Sequence, residues 1–429
     1  MSTPLHLKNI FSPGDIVTFT AAIRDLAVTY PNKYDIKVTT RCPQLLQNNP
    51  YITNTTVAPK NNTVIDINYA PHIPRRANAP KHFVTVYHKM LEQKLGIPIP
   101  VLKPHGDLYL DPYMQENRPI DDKYWVVFCG SKIDWPTKIW PASKWQVVID
   151  KLAEHGISTV QSGHTTNEQH IQPKLNTSLN LVGWGGLTEM MWLIYHSEGV
   201  MGYISAPMHI AACFNKPCVV LAGGKEPVAW EAYTNDNLAT KFGTQCTPLD
   251  VEHRYLHTFG QLPCCSCKNV CWARVLEKDA KSRKICSNII AENGYKVAAC
   301  MNLITPEMVV DAVLSYDLIN INKDPEMGKV YSRVVAITPL LMLDLDKKSK
   351  FRKDFAELHT MIGAAQKDYK RCCRSTKEVL AYNKAWNEIK RKVLEIPEEA
   401  RVALKKMAEV KSLIVNYKDD SNRIQRVVI

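Results

Sequence analysis

The chain has 429 residues, 45% of them hydrophobic, which is enough for two or three domains with buried cores. Its 54 Lys and Arg against 42 Asp and Glu give a net charge of +12. This charge favours phosphate-rich partners without choosing among sugar nucleotides, nucleic acid and lipid headgroups. Thirteen cysteines, an odd number, argue against a fully paired secreted framework. No secretory signal and no apolar run of roughly 20 residues is visible, so we expect a cytoplasmic protein without a transmembrane segment.

The N-terminal part alternates between helical and strand patterns. Helices are predicted over 17–30 and 82–95, and strands over 34–39 and 63–67. The polar stretch 113–123 contains a proline and reads as a linker. We therefore predict an N-terminal α/β domain over residues 1–118.

Gly14 and Asp15 precede the first predicted helix. A glycine there lets the backbone approach a ligand, and a helix N-terminus favours anionic groups. Asp15 is a candidate general base that takes a proton from an acceptor hydroxyl. The alternative is that Asp15 only caps the helix, a common role for aspartate at this position.

The middle of the chain predicts a parallel doubly wound sheet, because strands and helices alternate at short spacing. We assign residues 119–318 to a second Rossmann-like domain, in which ligands bind at the carboxyl ends of the strands. Its predicted strands are 124–129, 157–161, 199–204 and 217–222, and its predicted helices are 143–155, 187–197 and 208–214.

Candidate donor-binding residues follow two of these strands. Thr137 and Lys138 lie in the loop after the first strand, where a lysine can neutralise a diphosphate leaving group. After the strand 199–204, Ser205 precedes the next helix. Pro207 suits its first turn, where free N–H groups can hold a pyrophosphate.

Further candidates extend this set. Met208 and His209 continue the same helix, and His209 is a possible ribose or phosphate contact. Gly223 and Gly224 end the strand 217–222 and form a second possible anion cradle. For Lys138 and His209, the alternatives are a solvated surface lysine and a structural histidine.

Six cysteines cluster within the segment 262–301, which we predict to be a Cys-rich insertion. Four thiolates can close a tetrahedral site on zinc or iron, so we predict a structural metal, with inert buried cysteines as the alternative. The candidate ligands are Cys265, Cys267, Cys271, Cys286 and Cys300, with Cys264 able to replace one of them.

The character of the chain changes near residue 318. Residues 341–429 hold 21 Lys and Arg against 13 Asp and Glu. We predict a basic helical C-terminal extension over 319–429, with helices at 350–371, 375–394 and 398–416. The residues most suited to contact nucleic-acid phosphates are Lys347, Lys348, Lys350, Arg352, Lys353, Lys370, Arg371 and Arg374.

Together, these motifs resemble glycosyltransferase family 9, the ADP-heptose-dependent heptosyltransferases. The resemblance covers roughly residues 9–318 and is strongest from Trp125 to Tyr233. Its specific part is the ordered run NLVGWGGLTEMMWLIYHSEGVMGYISAPMHIAACFNKPCVVLAGGKEPVAWEAY.

This resemblance implies a GT-B fold, in which two Rossmann-like domains face a cleft, and an inverting sugar transfer without a catalytic metal. It implies an ADP-heptose-like donor and makes Asp15 the base, Lys138 the phosphate-binding lysine, and Pro207, Met208 and His209 part of the donor site. The cysteine cluster resembles, in character only, the iron finger of some relatives that modify proteins.

Three functions stay open from the sequence. The first is sugar transfer to a hydroxyl of a saccharide or protein. The second is transfer to modified DNA bases bound by the basic extension. The third is a non-catalytic binding protein on a degenerate GT-B fold, because Ile204, Ser205 and Ala206 stand where the family usually has Asp-Thr-Gly.

Overall fold

The computed structural model describes residues 2–53, 64–69, 82–132, 135–235, 237, 246–267, 286–292, 295–323, 414–418 and 424–428. The chain divides into two compact units, Met1–Val310 and Asp311–Ile429. The predicted boundary near residue 118 falls inside the first unit, so it stays a prediction. Among the described helices, none combines the length and apolar character that a membrane crossing requires.

The N-terminal lobe is built on a parallel three-stranded sheet with strand order β2-β1-β3. Its elements, in chain order, are β1 (Thr3–Asn9), α1 (Pro13–Thr29), β2 (Tyr34–Thr40), β3 (Val64–Asp66), α2 (Phe83–Leu95) and α3 (Pro112–Glu116), with a 3-10 turn at Pro43–Leu46. The central strand β1 was not predicted from the sequence. It has seven residues, and apolar Leu5 and Leu7 alternate with polar His6 and Lys8, so the two-residue pattern of a strand was present there and was overlooked.

Helix α1 begins four residues earlier than the predicted start at residue 17. Ser12 is its N-cap, Pro13 occupies the first turn, and the Ser12 backbone N–H donates to Asp15 Oδ2 at 2.9 Å. Proline is pre-organised for this position and a carboxylate three residues after the cap satisfies a free N–H group. Gly14 and Asp15 therefore lie inside the first turn of α1 and not before it.

The second lobe is built on a parallel six-stranded sheet with strand order β11-β10-β9-β4-β6-β8. Its elements are β4 (Trp125–Phe128), β5 (Ser131–Lys132), α4 (Ala142–Glu154), β6 (Thr159–Gly163), β7 (His170–Ile171), β8 (Leu179–Val182), α5 (Leu187–His196), β9 (Gly199–Tyr203), α6 (Ala206–Cys213), β10 (Cys218–Gly223), α7 (Val228–Glu231) and β11 (Arg254–His257). The strands β4, β9 and β10 are buried along their whole length, as expected for a sheet covered on both faces.

Each predicted strand and helix of this lobe is present within two residues of its expected ends. The sequence missed β8 and β11, which lie at the two edges of the sheet. Edge strands are half-exposed and carry less apolar character, so their pattern is weak. The two parallel-sheet lobes confirm the predicted α/β class.

Both sheets have a point where the strand order reverses. In the large sheet the chain runs from β4 outward through β6 to β8, then returns to β9 on the other side of β4. In the small sheet β1 lies between β2 and β3. Loops that leave neighbouring strands in opposite directions open a crevice at such a point, where ligands of doubly wound folds bind.

The remaining described elements follow the second sheet in the chain. They are the 3-10 turn Cys265–Cys267, β12 (Ile289–Glu292), β13 (Tyr295–Ala298), α8 (Ala299–Asn302), α9 (Pro306–Lys323), β14 (Ile414–Lys418) and β15 (Ile424–Val428). The antiparallel pair β14–β15 means that the last residues of the helix predicted over 398–416 are in a strand. The rest of that helix, the other two predicted helices and the eight basic residues of the extension lie outside the described residues.

Candidate functional site

A cavity of about 390 Å³ lies where the first turn of α1 meets the loops that follow β4 and β9. Six of the predicted site residues line it: Gly14, Asp15, Lys138, Ser205, Pro207 and His209. Of the other candidates, Thr137 and Met208 are buried side chains behind the wall. Asp15 and five of the donor-binding candidates, which lie up to about 190 residues apart in the sequence, therefore share one cavity.

Asp15 is a buried carboxylate at the wall of this cavity. Burial raises the pKa of Asp15 from 3.8 to about 6, and the Glu231 carboxylate adds to the increase, while the Ser12 backbone hydrogen bond, His209 and the Tyr69 hydroxyl oppose it. A carboxylate with this pKa is mostly ionised at neutral pH and still basic enough to accept a proton. Asp15 thus both caps α1 and places a carboxylate with a raised pKa at the cavity wall.

Gly14 allows α1 to approach α6 closely. A Cβ atom at position 14 would lie 3.1 Å from His209 Cδ2 and 3.4 Å from the Ala206 backbone nitrogen. Any larger side chain would push the two helices apart. The first turn of α1 therefore lies directly beside the N-terminus of α6, where backbone N–H groups favour anions.

His209 is held by two neighbours in this contact. Its Nδ1 lies 2.8 Å from the Tyr233 hydroxyl, and its Nε2 lies 3.4 Å from Glu231 Oε2. All three side chains are buried. These contacts fix the imidazole, and they bring the Glu231 carboxylate to the cavity wall beside Asp15.

Lys138 lies across the cavity and is held by its surroundings. Its Nζ donates to the Ile204 carbonyl at 3.0 Å and lies 3.5 Å from Glu226 Oε1. Lys225 Nζ lies 3.8 Å from the same Glu226 oxygen and 3.8 Å from the centre of the Trp135 ring. Two ammonium groups thus surround one buried carboxylate, and Lys138 remains partly exposed to the cavity.

Sequence reasoning missed several residues that line the cavity. They include Tyr69, Phe83, Lys132, Trp135, His164, His170, Gln172, Glu226, Trp230 and Glu231. Glu226 lies two residues after the Gly223-Gly224 pair, and a carboxylate this close to a glycine pair at a strand end is a signal that was available. Tyr69, Phe83 and Trp230 carry no such signal, because an aromatic side chain at a site looks like a core residue in the sequence.

Gly223 and Gly224 do not line this cavity. A Cβ at Gly223 would lie 2.6 Å from Met301 Sδ, and one at Gly224 would lie 2.9 Å from Cys265 Sγ. Gly224 instead lines a second pocket of about 30 Å³. The strand end that was expected to cradle phosphate therefore packs against the cysteine-rich segment.

The second pocket gathers five cysteines, Cys264, Cys265, Cys267, Cys286 and Cys300. Burial raises the pKa of Cys300 to about 11. Within the described residues, no group of three His, Cys, Asp or Glu side chains is arranged to hold a metal ion. The fifth predicted ligand, Cys271, lies outside the described residues.

Known proteins match part of this chain. Residues 69–257 match the model of the family described as Glycosyltransferase family 9 (heptosyltransferase). Lipooligosaccharide heptosyltransferase 2 of Haemophilus influenzae is 28% identical over 146 residues, which is 30% of this chain and 42% of that protein. The chain thus spans less than half the length of the curated relative that it matches. Asp15 lies outside the part that matches the family.

Solved structures also align with this chain. A family 9 glycosyltransferase from Veillonella parvula has a TM-score of 0.49 at 15% identity, covering 73% of this chain and 97% of that one. The dodecameric iron-containing heptosyltransferase TibC of enterotoxigenic Escherichia coli, solved with ADP-D-β-D-heptose, has a TM-score of 0.49 at 16% identity, covering 73% of this chain and 76% of that one.

Proposed function

We propose, from the premise that residues 69–257 form a glycosyltransferase family 9 domain, that this protein transfers a sugar from a nucleotide-sugar donor to a hydroxyl acceptor. One observation carries the proposal. A single cavity is lined by a carboxylate with a raised pKa, by a lysine and by the N-terminus of a helix. These are the groups that a metal-independent transfer needs: a base for the acceptor and cationic or N–H groups for the diphosphate.

The diphosphate of the donor would bind between Lys138 and the N-terminus of α6. Lys138 supplies a partly exposed ammonium group. Ser205 is the N-cap of α6. Pro207 carries no N–H group, and the Met208 N–H donates to the Ser205 carbonyl at 3.1 Å, so α6 would offer the diphosphate the Ala206 N–H group and the positive end of the helix dipole. Charge that develops on the leaving diphosphate is stabilised by these groups, which need no reorganisation during the reaction.

Asp15 would act as the base. The acceptor oxygen attacks the anomeric carbon while the bond from that carbon to the phosphate oxygen breaks. The acceptor proton passes to an Asp15 oxygen, and the nucleoside diphosphate leaves with the electron pair. A single displacement of this kind inverts the configuration at the anomeric carbon. The contact between Gly14 and α6 supports this arrangement, because it holds the base close to the donor-binding helix.

The donor we propose is ADP-heptose or a related sugar nucleotide, because the family description and the curated relative both name heptosyl transfer. The acceptor is a saccharide or a protein hydroxyl. The decisive measurement screens the purified full chain for binding of ADP-heptose, ADP-glucose, GDP-mannose and UDP-glucose. It then follows release of the diphosphate with candidate acceptors, and identifies the products by mass spectrometry.

The screen separates the three functions. Diphosphate release that disappears in Asp15→Ala, while donor binding persists, supports the proposed transferase. Transfer to modified DNA with a steep salt dependence favours the DNA-modifying alternative. Absence of binding to each donor and to each free diphosphate rejects a transferase and supports a non-catalytic protein.

We also propose that the cysteine cluster holds a structural zinc or iron. Sulfur donors of this kind suit both metals, and five thiols line one small pocket. The candidate ligands are Cys264, Cys265, Cys267, Cys286 and Cys300, with Cys271 beside them in the sequence. Elemental analysis of the full chain should find about one metal per chain. Cys286→Ser should lower that content, whereas Cys42→Ser, a buried cysteine of the N-terminal lobe, should not. A metal-free wild-type chain would contradict the proposal.

A further inference from the structure

We propose that Glu226 binds the hydroxyl groups of the donor sugar and determines which sugar is accepted. This inference rests on the proposed function, and it adds a residue that neither the motifs nor the proposed chemistry uses. Its basis is the position of Glu226 in the cavity and the unequal surroundings of its two carboxylate oxygens.

The two carboxylate oxygens of Glu226 have different surroundings. Oε1 lies 3.5 Å from Lys138 Nζ and 3.8 Å from Lys225 Nζ. Oε2 is buried and has no hydrogen-bond partner among the described residues. The side chain is 4% exposed, yet it lines the 390 Å³ cavity. A buried carboxylate oxygen without a partner is costly, and such groups are typical of ligand sites.

A counter-ion role alone does not account for this geometry. The two lysines need one acidic neighbour, and Oε1 provides it. They approach Glu226 from the side of Oε1, and Lys225 is itself held over the Trp135 ring. The carboxylate is therefore fixed in orientation, and its Oε2 is buried at the cavity wall without a hydrogen-bond partner among the described residues. Fixed acceptors of this kind give specificity, because a ligand without a matching donor leaves them unpaired.

The partner of Glu226 must be a neutral hydrogen-bond donor. A carboxylate repels phosphate, so Oε2 does not bind the diphosphate itself. It is joined through Oε1 to Lys138, the group proposed to contact that diphosphate. The part of a nucleotide sugar that adjoins the diphosphate and carries several O–H donors is the sugar. On the same wall Ile204 presents an apolar side chain, so position 204 provides no side-chain acceptor there.

The test compares each nucleotide sugar with its own free diphosphate. Dissociation constants of ADP-heptose and ADP, ADP-glucose and ADP, GDP-mannose and GDP, and UDP-glucose and UDP are measured by calorimetry without acceptor. The proteins are wild type, Glu226→Gln and Glu226→Met. Glu307→Gln is the control, because Glu307 pairs with Lys151 at 2.7 Å on the surface.

For the preferred donor, wild type should bind the nucleotide sugar more tightly than the free diphosphate. This preference should fall about tenfold in Glu226→Gln and further in Glu226→Met, as expected for loss of a hydrogen bond to a charged group. Affinity for the free diphosphate should be unchanged or higher in both variants, because Lys138 loses its acidic neighbour. This retained affinity also shows that the variants are folded. Glu307→Gln should behave as wild type.

Two results would overturn the role of Glu226 and leave the donor site intact. One is a wild-type protein that binds the diphosphate but gains nothing from any sugar. The other is a preference for the sugar that Glu226→Gln and Glu226→Met both retain. If wild type binds neither sugar nucleotides nor diphosphates, the proposed function fails, and the role of Glu226 fails with it.

Discussion

The turn at Gly14 and the turn at Gly223–Gly224 are alike in the chain and different in their surroundings. Gly14 lies in the first turn of the helix that follows β1, and Gly223 ends β10 with Gly224 directly after it. At Gly14 the missing side chain lets α1 meet α6 beside the cavity, whereas at Gly223 and Gly224 it makes room for Met301 and Cys265. Gly14 thus allows the two lobes to approach each other beside the cavity, whereas Gly223 and Gly224 allow close packing against the cysteine-rich segment.

This difference shows that a glycine turn at a strand end indicates a close approach but not its partner. Glu226, two residues after Gly224, reaches the cavity, while Gly224 itself lines the cysteine pocket. The segment after β10 thus borders both regions. The Glu226 side chain lines the cavity, and Gly224 lines the cysteine pocket. If this comparison is right, substitutions on the two sides should affect different measurements.

The largest effect is expected at Asp15. Asp15→Asn should lower kcat by about 100- to 10,000-fold, the usual contribution of a general base, because the amide cannot accept the proton. Donor affinity should change much less than kcat, since Lys138 and the N-terminus of α6 are unchanged in this variant. Steady-state kinetics and calorimetry measure the two quantities. Retention of more than half of wild-type kcat would place the chemistry elsewhere.

The second effect is on stability. The pKa of Asp15 is about 6 in the folded chain against 3.8 ordinarily, so between these pH values the folded state binds more protons than the unfolded state. The Asp15 contribution to the unfolding free energy therefore falls as pH rises from about 4 to about 6, by roughly 3 kcal/mol.

Denaturant unfolding of wild type and Asp15→Asn at pH 4.5 and 7.5 tests this sign. The asparagine variant should gain stability relative to wild type at the higher pH, because it has no buried charge to solvate. Such a gain would be the stability cost of a tuned base. A constant difference between the two proteins at both pH values would contradict the raised pKa.

The next largest effects are expected from alanine substitutions at Gly14 and Gly223, which should change different measurements. Gly14→Ala should lower kcat about tenfold by moving α1 away from α6. Gly223→Ala should cost about 1–3 kcal/mol of stability. Gly223 has a φ of +63° and a Cβ there would meet Met301. Its affinity for ADP should stay within about threefold of wild type. The comparison fails if Gly223→Ala impairs ADP binding more than Gly14→Ala does.

The smallest effect is a pair of opposite shifts in the pH profile. Activity should fall below pH 6 as Asp15 becomes protonated. Tyr69 lowers the pKa of Asp15 and Glu231 raises it. Tyr69→Phe should therefore move this limb to higher pH, and Glu231→Gln should move it to lower pH, each by less than about one unit. Profiles of kcat/KM from pH 4.5 to 8 measure both shifts. Shifts of the same sign would exclude this electrostatic origin.

Much of the second lobe could be predicted from local pattern. Strands β4, β9 and β10 are continuous apolar runs, and α4 and α6 follow them at the spacing of a parallel sheet. In the N-terminal lobe, β2, β3 and α2 agree with their predicted ranges, whereas β1 was overlooked although Leu5 and Leu7 alternate with the polar His6 and Lys8. The edge strands β8 and β11 were not predicted, because an edge strand is half-exposed and its apolar pattern is weak.

The site was predictable where a residue follows a strand at a reversal of strand order. Lys138 and Ser205 follow β4 and β9, which are neighbours in the sheet, and Asp15 follows β1. Tyr69 and Trp230 were not predicted, because an aromatic residue that lines a cavity looks the same in the sequence as one in the hydrophobic core. Glu231 escaped because its role depends on His209, which is distant in the sequence and 3.4 Å away in the fold.

The sequence by itself determined the succession of strands and helices, the helix caps, and the residue types available at each strand end, because these depend on neighbours in the chain. Only the tertiary structure decided which strand ends share a cavity, that Gly223–Gly224 packs on cysteines, and that Glu226 keeps an unpaired oxygen. Those outcomes depend on strand order and on contacts across the two lobes. Burial and charge at such contacts come from residues far apart in the chain, so no local pattern contains them.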